Sequence, residues 1–202
     1  MRLDTILFEM NIFDTWRMRY KYLEEAERNS YKYYVPNIGF DDGVALYTLI
    51  KIHGESKDEY RVYEMGSGVG YSTLWILYAL EDINGKTYLE AVEKDSDKAV
   101  EIHNIISSIG HVKTIWRVIS DDALNILESS KNKYDFIFVD ITKSDYVRAL
   151  KLIRDRIKGD GYVAFHNAFF PAPPMNFIQY ALDHGWEINV IPTRLGLFIL
   201  HR

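Results

Sequence analysis

Apolar residues along this chain follow two rhythms, helical steps of three to four residues and short continuous runs of strand length. Over residues 15–28, Trp16, Tyr20 and Leu23 recur at helical spacing with charges between them, which predicts an amphipathic helix. A further helix is predicted to run from an N-cap at Asp41 or Asp42 to about Ile52, so two or three helices precede the first strand. That strand, 62–65, breaks into Gly66-Ser67-Gly68-Val69-Gly70 and leads into a helix through Leu77. Helix and strand then alternate. Strands are predicted at 86–93, 111–119, 134–140 and 162–165. The helices between them include one from Ser96, with Ala99, Ile102, Ile106 and Ile109 on one face, and a short one ending near Glu128. The last carries Tyr146, Ala149, Leu150, Ile153 and Ile157 and closes at Gly159-Asp160-Gly161. A helix at 175–184 and a strand pair at 186–191 and 195–200 complete the chain. Such alternation predicts an α/β domain with a mostly parallel sheet wrapped on both faces. It is read as a single domain over 1–202, with a helical N-terminal cap segment at 1–53 and a core at 60–202.

Composition narrows the classes. With 202 residues, 48% of them hydrophobic, the chain can bury one substantial core but not two large ones. A formal charge of −5 and a pI near 5.7 provide no basic footprint, so no nucleic-acid partner is expected. The stretch from Met1 to Met10 carries Asp4 and Glu9, and no later run reaches the length of a bilayer span, so no membrane partner is expected and the protein is read as cytoplasmic. The absence of cysteine removes disulfides, thiolate nucleophiles and thiolate metal sites, leaving oxygen and imidazole as the available metal ligands.

The glycine turn changes the picture most. Gly66, Gly68 and Gly70 let backbone approach a ligand closely at the positive end of the following helix, a nucleotide-type arrangement. The dinucleotide fingerprint would need a third glycine at position 71, which is tyrosine. With Glu64 two residues ahead and Tyr71-Ser72 after it, the turn resembles motif I of class I S-adenosylmethionine-dependent methyltransferases, and the Gly-Tyr-Ser sequence resembles the small-molecule O-methyltransferases. Glu93, at the carboxyl end of the next predicted strand, is placed to accept hydrogen bonds from ribose hydroxyls; Glu90, inside that strand, is the poorer candidate. The resemblance implies that Asp122-Ala123 holds the adenine amino group, while Asp122 also suits a helix N-cap. The cofactor-binding set is therefore Glu64, Gly66, Gly68, Gly70, Ser72, Glu93, Asp122, Ala123 and Asp140.

Two further strand ends bring Asp140, Lys143, His166 and Asn167 toward one crevice. The run Phe138-Val139-Asp140-x-x-Lys143-x-x-Tyr146 with a polar pair after the next strand resembles the divalent-metal-dependent catechol and caffeoyl-CoA O-methyltransferase family. Asn37-Ile38-Gly39 with its acid-rich turn and Gly43 adds to that resemblance, which covers about Asn37 to the C-terminus. It implies a Rossmann-like fold with a seven-stranded, mostly parallel sheet and one antiparallel strand. It also implies S-adenosylmethionine as cofactor, a divalent ion on Asp140, His166 and Asn167, Lys143 helping to deprotonate an acceptor hydroxyl, and a homodimer. His166 departs from the pattern, which has an aspartate there. Magnesium prefers oxygen donors, so it is disfavoured, whereas manganese, zinc, iron, cobalt or nickel accept imidazole. Equally open is a centre without metal in which His166 takes the proton, or a histidine that only hydrogen-bonds at the strand end.

The expected function is methyl transfer to a hydroxyl of a small, flat, aromatic acceptor, with Lys143, Asp140 and His166 as catalytic groups. Transfer to nitrogen, RNA or protein, or cofactor binding without catalysis, are the rivals. The tyrosines at 31, 33 and 34 are read mainly as packing, Phe169 and Phe170 as core contacts, and Arg194 as an exposed turn cation.

Overall fold

The computed structural model describes residues 3–202, with side chains from Ile12 onward; Met1, Arg2 and the side chains of Asp4 and Glu9 lie outside the described residues. Helix α1, Leu3–Tyr33, runs unbroken where two helices were open to the sequence, because neither glycine nor proline interrupts it before Pro36. Arg19 fixes it to the body. Its guanidinium, packed over Trp16 and Tyr78 at 4.9 and 5.0 Å, donates to both oxygens of Asp82 at 2.7 Å. Helix α2, Phe40–Gly54, is N-capped at Gly39 rather than at Asp41 or Asp42. Asp42 instead occupies the third helical position and reaches back to accept the Gly39 N–H at 2.8 Å.

The remaining elements are β1 Glu59–Met65, α3 Tyr71–Glu81, β2 Lys86–Glu93, α4 Ser96–Ser108, β3 Ile115–Ser120, α5 Ala123–Ser129 and β4 Tyr134–Val139. After them come a 3-10 turn Lys143–Asp145, α6 Tyr146–Arg154, β5 Ile157–His166, α7 Met175–Asp183, β6 Glu187–Ile191 and β7 Leu197–His201. The seven strands lie in the order β3-β2-β1-β4-β5-β7-β6, with the first five parallel and β7 antiparallel to both its neighbours. This is the expected Rossmann-like sheet. Strand order reverses between β1 and β4, and a crevice opens there above the carboxyl ends of the strands.

Several boundaries differ from the sequence pattern. Strand β3 begins at Ile115, not His111. Helix α6 ends at Arg154, and Ile157 with the Gly159-Asp160-Gly161 stretch belongs to β5, whose register against β4 shifts between Tyr134 and Phe136. An irregularity of that kind absorbs extra residues without ending a strand, so the glycines mark a bulge rather than a helix stop.

The β4 run is apolar throughout because both faces are covered. Phe136 and Phe138 join the core beneath α2, α3 and α4, and Ile137 and Val139 join the core beneath α5, α6 and α7. Helix α2 approaches α3 so closely that a Cβ on Gly43 would lie 2.2 Å from Nε1 of the buried Trp75. Gly43→Ala is therefore expected to cost about 1–3 kcal/mol through overpacking, read as a lowered urea midpoint at constant m. An unchanged midpoint would show that Trp75 can move aside. Among the described residues no helix is long and apolar enough to cross a membrane.

Candidate functional site

The turn between β1 and α3 is built by left-handed backbone. Gly66, Gly68 and Gly70 have φ of 82°, 55° and 98°, and a Cβ on Gly66 would meet the Asp140 carbonyl oxygen at 2.2 Å. Glu64 lies wholly buried behind this turn. Its carboxylate accepts from the Ser72 hydroxyl at 2.5 Å and the Thr73 hydroxyl at 2.6 Å, clamping the first turn of α3 to β1. Burial pushes Glu64 up to about 7, with the two hydroxyls pulling the other way. Glu64 and Gly70 shape the turn from outside the cleft, whereas Gly66, Gly68 and Ser72 line it.

Two cavities of about 210 and 450 Å³ meet over this turn, sharing Gly66, Glu93, Asp140, Ile141 and Thr142. Glu93 accepts the Gly68 N–H at 2.9 Å and the Asp95 N–H at 3.1 Å, one on each oxygen, which leaves a lone pair on each for a ligand. Glu90 is consumed elsewhere, by Tyr134, Asn132 and Arg117. At the far end of the smaller cavity, Asp122 caps α5 through Oδ1, accepting from Leu124 N–H at 2.8 Å and Asn125 N–H at 3.2 Å. Its other oxygen makes no bond among those described. Ala123 lines the same cavity, while its carbonyl accepts the Tyr63 hydroxyl at 2.7 Å. Asp121, Ile141, Thr142 and Asp145 also line it and were not singled out from the sequence. Their position past strand ends was the available signal.

The four polar strand-end residues converge. Asp140 follows β4, its N–H bonded to the Met65 carbonyl at 2.9 Å. Lys143 donates to Asn167 Oδ1 at 2.9 Å, and Asn167, at φ 63°, donates through Nδ2 to the Phe170 carbonyl at 2.9 Å. Burial lowers the pKa of Lys143, with Asp140 acting in the opposite sense. His166, only 3% exposed, lies between two carboxylates: Nε2 is 3.1 Å from Asp42 Oδ2, and Nδ1 is 3.4 Å from Asp140 Oδ2. Burial by itself would lower its pKa. The two acids outweigh burial and push it up to about 9. Asp42 is in turn held by the Gly39 N–H and the Thr193 hydroxyl, and the same bonds with His166 keep its pKa below the usual range although burial opposes them. Asp42 had been read only as a helix cap.

Asp140, His166 and Asn167 offer a carboxylate, an imidazole and an amide oxygen to a divalent ion: His166 Nδ1 is buried without a hydrogen-bond partner, 3.4 Å from Asp140 Oδ2, and Asn167 Oδ1 accepts from Lys143 with a second lone pair left over. Among the described residues no cluster of three acidic or histidine side chains is set for a metal.

A groove of about 700 Å³ adjoins the cleft, sharing Val35, Pro36, Asn37, Ile38 and Tyr71 with it. Tyr31 and Tyr34 line it at 73% and 94% exposure, together with Phe40 and Arg194, so these two tyrosines are not core packing. Phe169 and Phe170 are exposed as well, correcting their reading as core contacts: the loop after β5 turns outward, tied to the β7 approach by Ala168 N–H to Gly196 O at 2.9 Å.

A family model described as a methyltransferase domain matches residues 63–168. Caffeoyl-CoA O-methyltransferase 5 of Nicotiana tabacum is 26% identical over 165 residues, and the match covers 74% of this chain and 65% of that relative. The chain thus spans less than two thirds of the length of the curated relative. Among solved structures, the O-methyltransferase TomG from Streptomyces achromogenes, involved in tomaymycin synthesis and bound to S-adenosylmethionine, superposes with a TM-score of 0.74 at 19% identity, covering 89% of this chain and 88% of that one. The O-methyltransferase from Bacillus cereus in complex with S-adenosylhomocysteine gives a TM-score of 0.72 at 17% identity, covering 89% and 90%. Both share the fold.

Proposed function

The chain belongs to the methyltransferase-domain family over residues 63–168, and from that premise we propose that it transfers a methyl group from S-adenosylmethionine to a hydroxyl of a small, flat acceptor. The observation that carries the reading is the continuity of the cleft from Asp122, past Glu93 and the glycine turn, to Asp140. When bound, the cofactor supplies an electrophilic methyl on a sulfonium. Glu93 would accept ribose hydroxyls with its free lone pairs, and Asp122 with Ala123 would meet the base. Asp140, which lines both cavities, would lie beside the cofactor.

The acceptor's hydroxyl would need to give up its proton to become the better nucleophile toward that methyl. The hydroxyl proton would leave to the Lys143 amine, whose pKa burial lowers, with Asp140 opposing. Asn167 fixes the Lys143 amine, and holding both reactants in line supplies much of the rest. His166, buried between Asp42 and Asp140, is a positioning residue behind Asp140. The exposed Tyr31, Tyr34 and Phe40 suit an aromatic acceptor.

Calorimetric titration with S-adenosylhomocysteine tests the reading, and the absence of a saturable isotherm would end it. Glu93→Gln is expected to weaken that binding about 10–100-fold, the worth of a charge-assisted hydrogen bond. Unaltered affinity in this variant would remove Glu93 from the ribose site.

A further inference from the structure

Resting on the methyltransferase reading, we propose that Arg194 is a specificity-determining residue of the acceptor groove, and that the acceptor is an aromatic acid whose carboxylate it holds. The groove of about 700 Å³ beside the cleft is walled by the exposed rings of Tyr31, Tyr34 and Phe40. Such rings offer flat apolar faces to an aromatic ligand but no counter-charge. Among the described residues, Arg194 is the one cationic side chain that lines the groove. Its guanidinium makes no hydrogen bond, ion pair or ring contact with any described residue; only its backbone N–H is bonded. A guanidinium is a planar fork of donors that matches a carboxylate bidentately, so an unpaired one at an aromatic groove is a ready partner for an acid.

The turn that presents this guanidinium, between β6 and β7, is fixed on two sides. The Arg194 N–H donates to Asp41 Oδ2 at 2.6 Å and the Thr193 hydroxyl donates to Asp42, so α2 holds one flank. On the other flank the Leu195 and Gly196 carbonyls accept the Phe169 and Ala168 N–H groups at 2.8 and 2.9 Å. The Gly196 N–H closes the turn on Thr193 Oγ1 at 3.0 Å. Both acids that could neutralise Arg194 fail to do so. Asp41 is occupied by the backbone N–H, and Glu27, which lines the same groove, makes no ion pair with the guanidinium. The turn is also held in a fixed relation to the reacting end, because Thr193 is linked to the Asp140 tip through Asp42 and His166, whose nearest polar atoms are 3.1 Å apart. An acceptor anchored by its carboxylate at Arg194 extends along the groove toward the cleft, which shares Ile38 and Tyr71 with it.

The test uses the full chain saturated with S-adenosylhomocysteine and calorimetric titration of matched pairs, 3,4-dihydroxybenzoate and 3,4-dihydroxycinnamate, each against its methyl ester. The esters keep the ring and both hydroxyls but lose the charge. At least one acid is expected to bind about tenfold more tightly than its ester, the lower end for a charge-assisted hydrogen bond because the site is open to solvent. That advantage should shrink as NaCl is raised, since exposed charges are screened. Arg194→Ala removes an exposed side chain while its backbone bond to Asp41 can persist, and it is expected to abolish the difference between acid and ester. Arg194→Lys is expected to restore part of it, as a point charge without the fork. Equal binding of acids and esters, no saturable binding of either acid, or an acid preference unchanged in Arg194→Ala overturns the proposal. S-adenosylhomocysteine is titrated alone first. Its failure to bind sinks the methyltransferase reading and this proposal with it, whereas its binding without any acid preference sinks only this inference.

Discussion

Lys143→Ala is expected to lower kcat by about 10²–10⁴-fold, the range for removing a positioned acid–base group, while S-adenosylhomocysteine affinity stays close to wild type. The separation follows from where Lys143 sits. Its amine bonds Asn167, and it lines neither of the two cavities proposed for the cofactor. Burial lowers its pKa from the ordinary lysine value, with Asp140 opposing, so kcat/KM should rise with pH as the neutral amine becomes populated. Lys143→Arg is expected to remain impaired, because a guanidinium keeps the charge but cannot accept a proton. Full activity in Lys143→Ala on a proven acceptor would refute the catalytic assignment and leave the fold untouched.

Asp42→Ala is expected to destabilise the protein by about 3–5 kcal/mol, as for removal of one partner from a buried ion pair. The fully buried carboxylate accepts from Gly39 N–H, His166 Nε2 and the Thr193 hydroxyl, so its loss strands three donors at once. The pair also sets a pH dependence. His166 has a folded pKa raised from 6.5 to about 9, so its contribution is complete below the unfolded value and disappears as pH climbs through about 9. Asp42 has a lowered folded pKa, so its contribution is present above the ordinary value of 3.8 and is lost as pH falls through the folded one. Glu64, raised to about 7, adds an earlier alkaline loss through that pH. Urea unfolding of the wild type across this range should show stability falling on the alkaline side. In Asp42→Ala the limb near pH 9 should shrink while the Glu64 limb remains. A wild-type profile flat from about pH 7 to 10 would remove the imidazolium from the account.

Much of the architecture was legible because it is written locally. Side-chain period distinguishes helix from strand, so α2, α3, α4, β2 and β4 lie close to where the pattern put them, and the glycine turn announces itself by residue type. Boundaries failed where one residue type serves two purposes. Gly159 and Gly161 read as a helix stop yet sit inside β5, since a glycine can mark either a cap or a strand irregularity. Phe169 and Phe170 failed for another reason: hydrophobic character favours burial but does not dictate it when a loop is held outward by its own backbone bonds.

By itself the sequence determined the alternating α/β core, the left-handed glycine turn and the arrival of Asp140, Lys143, His166 and Asn167 at neighbouring strand tips, because each depends on periodicity or residue type within a few positions. Only the tertiary structure decided what His166 is. Its state depends on Asp42, 124 residues away in the chain and carried on a different layer, and no local pattern encodes which distant carboxylate will be packed against an imidazole. That juxtaposition raises the His166 pKa against the effect of burial, since two flanking acids favour the charged ring.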